Sequence, residues 1–339
     1  MQAGSTVRRV IESQGEAWGQ VLSSHTSWDL SGRVLCVGSG TSYYLALVVA
    51  ALGKKLGLDV TAVPTQDVIL DSADTLKEYD SVVIISRSGE TSEALWSANI
   101  AREHHKRVLG VTCNDASPLP SRVDAAWVFP FAHDHTVVMV KSFSSMLMAF
   151  ERAFAEHTGH EAGKKALKEL AQAADAFIGL SDETMRRLTA PPPRRVYILG
   201  AGVRYGVALE GSLKCLEMSN ENAAAYGPLE FRHGPWGSVT KDDLVVLLGQ
   251  GAFAQHERQV LLDLSQRTQR LLTIAHPDWF DAASPGERLL LPAVDDLWAG
   301  PLSVVPLQWL GYYWALSQGL NPDAPKNLTQ VVDLSYGNH

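Results

Sequence analysis

The sequence repeats itself. R-V-L-C-V-G-S-G at Arg33–Gly40 is answered by R-V-Y-I-L-G-A-G at Arg195–Gly202, an offset of 162. D-S-V-V-I-I-S-R-S-G at Asp80–Gly89 aligns with D-L-V-V-L-L-G-Q-G-A at Asp243–Ala252, an offset of 163. R-V-L-G-V-T-C-N-D at Arg107–Asp115 matches R-L-L-T-I-A-H-P-D at Arg270–Asp278, again at 163. Three matches in order at a nearly constant offset imply two copies of one structural unit. In both copies short β-type runs alternate with longer helix-type runs, the pattern of a parallel sheet wrapped by helices. The fold class is therefore read as α/β, with two doubly wound parallel-sheet subdomains related by internal duplication.

The boundary falls between the copies. Glu161–Leu188 is rich in Ala, Leu, Lys and Glu and reads as a connecting helix, and Pro191-Pro192-Pro193 stops it before the first strand of the second copy. We expect one domain over 1–189 and a second over 190–339. Thr6–Ser23 also reads as helical.

A length of 339 residues fits two such units, and 46% hydrophobic with 19% charged residues is ordinary globular composition. The formal charge of −8 argues against nucleic acid or an anionic membrane as partner, because both select basic surfaces. It leaves room for an anionic small molecule in a local pocket. Met1–Arg9 has no apolar core of a signal peptide, and the longest apolar run, Tyr43–Leu52, is about half a membrane span. The three cysteines, Cys36, Cys113 and Cys215, form no C-x-x-C pair, and Cys36 and Cys113 read as buried thiols. A cytoplasmic location is expected.

Duplicated units are most informative where they differ. After its second matched strand, copy one reads Ser86-Arg87-Ser88-Gly89-Glu90-Thr91, where copy two has Gly249–Ala254 and no hydroxyl. Hydroxyls, free backbone N–H groups and a helix N-terminus can together bind a phosphate without a lysine. The same residues are also ordinary helix-capping chemistry, so this loop alone carries either reading. The first matched strand ends in Gly38-Ser39-Gly40-Thr41-Ser42, which brings more hydroxyls to the sheet edge where ligands of open α/β sheets sit. A dinucleotide fold is disfavoured, since Tyr43 and Tyr205 replace the third glycine of G-x-G-x-x-G.

Copy two supplies different chemistry. Its first helix carries Glu210, Lys214 and Glu217, with Lys214 and Glu217 on one face. Beyond it, Glu230-Phe231-Arg232-His233-Gly234-Pro235 sets a histidine before a Gly-Pro turn. Taken singly, these are a solvated ion pair and a structural histidine. Together they are a carboxylate base, a cation and a titratable acid/base.

With these residues the chain resembles the sugar isomerase (SIS) domain family, whose subdomains are flavodoxin-like. Its tandem form resembles the isomerase half of glucosamine-6-phosphate synthase and the tagatose/galactosamine-phosphate isomerase–deaminase proteins. The resemblance extends to the 16-residue spacing of Glu217 and His233, to Val140-Lys141-Ser142-Phe143 and to Lys326-Asn327-Leu328. It implies a metal-independent phosphosugar isomerase with no cofactor. Gly40, Thr41, Ser42, Ser86, Arg87, Ser88 and Thr91 would bind the substrate, the hydroxyls of Ser42, Ser86, Ser88 and Thr91 holding the phosphate. Glu217 would move a proton between C1 and C2 of the open-chain sugar. Lys214 would stabilise the enediolate, and His233 would assist ring opening from the adjacent subunit of a homodimer.

Three positions depart from the pattern: Arg87 stands where glutamine is common, His135 where glutamate is common, and Gln330 where the synthase carries lysine. No glutaminase segment precedes the repeat, so glutamine-derived ammonia is not expected of this chain. His133 and His135 alternate as strand neighbours would, with no third metal ligand nearby. The alternatives are an amino-sugar-phosphate deaminase, an Amadori-type deglycase and, from another class, a non-catalytic sugar-phosphate sensor. A sensor needs neither Glu217 nor His233, and no helix-turn-helix fits before Arg33.

Overall fold

Unbroken Val, Ile and Leu runs can be buried on both faces only when helices cover both sides of a parallel sheet. The computed structural model of the chain describes residues 2–334 and has this architecture. In chain order the first half contains α1 (Ser5–Glu12), α2 (Gln14–Ser23), β1 (Arg33–Gly38), α3 (Thr41–Lys55), β2 (Asp59–Pro64), α4 (Thr65–Leu70) and α5 (Ser72–Leu76). It continues with β3 (Ser81–Ile85), α6 (Ser92–Glu103), β4 (Arg107–Thr112), β5 (Ala125–Val128) and α7 (Lys141–His157). After α8 (Glu161–Leu188) come β6 (Val196–Gly200), α9 (Val203–Ser219), β7 (Ala223–Tyr226) and β8 (Leu244–Leu248). The chain then forms α10 (Ala254–Leu264), β9 (Leu271–Ala275), β10 (Glu287–Leu290) and α11 (Gly300–Ser317).

The two five-stranded sheets have the same order, β2-β1-β3-β4-β5 and β7-β6-β8-β9-β10, and every neighbouring pair is parallel. This is the flavodoxin-like order, with the crevice for ligands at the carboxyl ends of the strands beside the first one. The three runs that match in sequence form β1 and β6, β3 and β8, and β4 and β9. These are the central strands, and β3, β8 and β9 are buried at every residue.

The chain divides into two compact units, 1–15 with 166–327 and 16–165 with 328–339, of which residues 2–334 are described. This cut differs from one near residue 190 because it falls within α8, so that residues 166–189 go with the second copy, and because residues 1–15 and 328–339 are each grouped with the copy more distant from them in sequence. In the unit built on β6–β10, α1 packs on α11, and Asp323 accepts the Thr6 and Val7 amides at its N-terminus. The core of this unit joins Tyr197, Leu247, Val260, Leu261, Leu264 and Trp279. In the unit built on β1–β5, Leu35, Val37, Ile84, Ala98 and Leu119 join one core, and Trp18 donates to Ser144 Oγ at 3.0 Å.

The Thr6–Ser23 segment comes as two helices rather than one. Ser13 returns its hydroxyl to Val10 O, and the buried Gln14 side chain bonds Ile11 O and Gln308 Oε1. The expected connecting helix ends at Leu188, and the turn after it is held by Arg270, whose Nη2 donates to Leu188 O at 2.6 Å and Pro191 O at 2.8 Å. All three cysteines are buried and free, and burial pushes the Cys36 thiol up to about 12. Among the described residues no helix is long and apolar enough to cross a membrane.

Candidate active site

In the unit built on β1–β5, the G-S-G turn carries α3 close over the end of β1. A Cβ on Gly38 would lie 2.5 Å from the Ser42 carbonyl carbon, and Gly40 has φ 54° and ψ −124°, a region closed to other residues. Gly202 adopts φ 53° and ψ −124° at the matching place after β6, so the G-x-G pair is a tight strand-to-helix turn common to both copies. The turn brings Thr41 and Ser42 into the first turn of α3 with little exposure. Ser39 Oγ is 2.7 Å from Thr65 Oγ1, which ties the turn to the end of β2.

β3 is the neighbour of β1, so its loop lies at the same sheet edge. Ser86, Arg87 and Ser88 are all buried there. Gly89 N donates to Ser86 Oγ at 3.1 Å, Glu90 N to Ser88 Oγ at 3.3 Å, and Ser88 Oγ lies 3.4 Å from Thr91 Oγ1. The loop is a pre-folded nest of hydroxyls and amides at the start of α6. A cavity of about 560 Å³ opens beside it, lined in part by Ser39, Gly40, Thr65, Gln66, Glu93 and Trp96. Ser42, Ser86, Ser88 and Thr91 are not among its lining residues.

Arg87 does not present its charge to solvent. Nη1 donates to Thr136 O at 3.0 Å and Val137 O at 3.1 Å, Nη2 donates to Gln330 O at 3.0 Å, and Asp134 Oδ2 lies 3.7 Å away. Asp134 in turn accepts the Val140 and Ser142 amides and the Ser142 hydroxyl, holding the start of α7. Alternation in the sequence pointed to His133 and His135, whereas the buried group is the aspartate between them. The two imidazoles sit 4.5 Å apart, and His133 Nδ1 accepts the His135 N–H at 3.0 Å. Burial, His135 and Arg87 hold the His133 ring below the usual histidine value. Among the described residues no group of three or more His, Cys, Asp or Glu is arranged to hold a metal.

In the other unit, α9 does bring Glu210, Lys214 and Glu217 together. Lys214 Nζ is 3.3 Å from Glu210 Oε1 and donates to Glu217 Oε2. Lys214 and Glu210 are sealed from solvent, while the Glu217 side chain keeps 21% of its exposure. Burial works to lower the Lys214 pKa, but the two carboxylates outweigh it and hold the ammonium above the usual lysine value. In place of a solvated ion pair, the alternative for these residues taken singly, the helix carries a buried triad with one partly exposed carboxylate.

His233 lies on a different kind of support. Phe231 is buried against the Tyr197 and Tyr226 rings, and Arg232 pairs with Asp263. These anchors leave His233 exposed on the next residue, followed by Gly234 at φ 125°. Among the described residues nothing hydrogen-bonds its ring.

The sequence did not reveal how the carboxyl edge of the second sheet is filled. Arg204, matching Ser42 at the 162 offset, donates to Asp296 Oδ1 at 2.7 Å and to Asp296 O at 2.8 Å. Glu257 Oε2 accepts Trp279 Nε1 at 2.7 Å and the Gln250 amide at 3.0 Å, and burial pushes its carboxyl up to about 7. The one available signal was a charged residue where the first copy has a hydroxyl. Here the chain's own side chains occupy the edge that copy one leaves lined with hydroxyls.

A family model described as SIS domain matches residues 30–156 and 192–311. Among curated proteins, an isomerizing glutamine–fructose-6-phosphate aminotransferase from Gloeobacter violaceus is 29% identical over 348 residues, covering 96% of this chain and 56% of that protein. The chain spans about half the length of the curated relatives it matches. A solved glucosamine-6-phosphate deaminase from Thermotoga maritima superposes with a TM-score of 0.83 at 27% identity, covering 97% of this chain and 99% of that one. A tagatose-6-phosphate ketose/aldose isomerase from Escherichia coli shares the fold, with a TM-score of 0.78 at 24% identity over 94% of this chain and 95% of that one.

Proposed function

This chain belongs to the SIS domain family, and on that premise we propose that it is a phosphosugar isomerase acting on a hexose- or hexosamine-6-phosphate. The observation that carries the reading is the half-open Glu217 carboxylate fixed against the sealed Lys214 ammonium. A base held by a buried partner meets the substrate in one orientation, without reorganising during proton transfer. Glu217 takes the C2 proton of the open-chain aldose and returns it to C1, through an enediolate. No atom is gained or lost. The Lys214 charge lies beside the site of that transfer, where a preorganised cation favours the developing oxyanion.

Ser42, Ser86, Ser88 and Thr91 are assigned to the phosphate, with Thr41 and Gly40 near the sugar. His233 is assigned to ring opening. Its exposure supports service to the site of a second copy in a homodimer. No metal or cofactor enters this scheme.

The likeness to a glucosamine-6-phosphate deaminase favours a second outcome of the same chemistry. When C2 bears an amine, proton transfer to C1 leaves an imine, and one water converts it to the ketose and ammonia. Turnover of hexose-6-phosphates and their 2-amino derivatives, followed as ketose and as ammonia, separates the two. Thermal stabilisation by these compounds with no turnover would instead identify a sensor.

A further inference from the structure

Two of the three positions at which the chain departs from the family pattern touch each other. Arg87 Nη2 donates to the carbonyl of Gln330, 243 residues along the chain, at 3.0 Å. Nη1 reaches Thr136 O and Val137 O, and Asp134, fully buried, balances the charge. The main chain of Arg87 is fixed as well: its carbonyl accepts Cys113 N at 2.9 Å and Thr112 Oγ1 at 3.0 Å. A second tie lies five residues on, at the start of α6. Ser92 N donates to Val332 O at 3.3 Å, Ser92 Oγ to Asp333 Oδ1 at 3.3 Å, and Leu334 N to Ser92 Oγ at 3.0 Å.

We infer that Arg87 is a positioning residue, which with Ser92 fastens the C-terminal segment Gln330–Leu334 along the hydroxyl loop and so fixes the geometry of Ser86, Ser88 and Thr91. It is not a phosphate ligand. Three of its N–H donors are spent on carbonyls, and Asp134 compensates its charge. A planar guanidinium fork can reach carbonyls on separate segments at once, which an ammonium on a flexible stem does less well. The acceptor at position 330 is a carbonyl oxygen, so the side chain there is free to change. Because the ion pair is buried, loss of the arginine alone would strand Asp134 and risk misfolding. The neutral pair Arg87→Gln with Asp134→Asn avoids that.

The inference rests on reading the 86–91 loop as the phosphate site, and its test separates the two. Hydrogen exchange at the amides of 331–334 is measured in the wild type, Gln330→Ala, Ser92→Ala and the neutral pair. Each is also titrated with glucosamine 6-phosphate and fructose 6-phosphate, after circular dichroism has shown a native fold. Exchange should rise at least tenfold in the neutral pair and in Ser92→Ala, and stay unchanged in Gln330→Ala. Affinity for the bound sugar phosphate should fall at least threefold where exchange rises. Unaltered exchange in a folded neutral pair overturns the fastening. Faster exchange at wild-type affinity overturns its link to the loop. A wild type that binds neither compound while the exchange pattern holds overturns the phosphate reading alone.

Discussion

The ammonium of Lys214 is hydrogen-bonded to the carboxylate of Glu217, three residues on along α9, with one member of the pair sealed and the other open to solvent. A single helical turn thus pairs a buried ammonium with a partly exposed carboxylate, the group proposed as the base. Glu210, one turn back, completes the arrangement from the protein side at 3.3 Å. Substituting Lys214 is therefore expected to affect both stability and the proposed chemistry.

Lys214→Met leaves Glu210 buried without its cation. Breaking a buried pair from one side costs about 3–5 kcal/mol, whereas replacing both members by apolar groups is often neutral. Urea unfolding should show that loss for Lys214→Met and recovery of most of it in Lys214→Met with Glu210→Leu. Turnover should stay low in both. Full activity in the stable double variant would remove Lys214 from the mechanism.

Ser88→Ala with Thr91→Ala removes two hydroxyls from the loop after β3. Hydrogen bonds to a charged group contribute about 1.5–3 kcal/mol each, so KM should rise about 100-fold or more while kcat changes less. A KM equal to wild type would mean that these hydroxyls only cap α6.

His233→Ala and Glu217→Gln should complement each other. If His233 serves the partner subunit, each mixed dimer holds one site with both groups intact, and a re-equilibrated mixture should regain about a quarter of wild-type activity. No recovery would place His233 in its own chain's site, and full activity of His233→Ala alone would place it outside any site.

Glu257 predicts a pH effect on stability that is independent of catalysis. Its carboxyl is pushed from 4.5 up to about 7. Between those values the native state keeps a proton that the unfolded chain has released, so stability falls as pH rises through that window. The loss by pH 8 is of order 3 kcal/mol. Glu257→Gln keeps an acceptor for Trp279 and Gln250 but cannot ionise. Unfolding at pH 5 and pH 8 should show a smaller pH dependence for Glu257→Gln, by about that amount. Equal dependence would contradict the assignment.

The central strands were legible because burial on both faces demands unbroken Val, Ile and Leu, and that demand recurs in each copy. The half-exposed edge strands β2, β5, β7 and β10 carry weaker constraints, and there the repeat disappears from the sequence. The Lys214–Glu217 pair was readable from helical spacing, but its burial depends on packing that spacing does not encode. Asp134 was hidden because its partner Arg87 is distant in sequence, while two neighbouring histidines drew attention to the wrong side chains. The fastening of Gln330 was equally invisible, since its acceptor is a carbonyl that every residue possesses. Arg204 and Asp296, 92 residues apart, close the second sheet's edge by the same kind of long-range contact.

The assignment of Glu217 as the proton-transfer base is tested most directly by solvent deuterium exchange at C2 of the turned-over sugar phosphate, followed by NMR. In Glu217→Gln the exchange should fall by about a thousandfold, in the range that a positioned base contributes. Affinity for a non-reacting sugar alcohol 6-phosphate should stay within about threefold of wild type, because the hydroxyls assigned to the phosphate are untouched. Exchange at the wild-type rate in that variant would contradict the role given to Glu217.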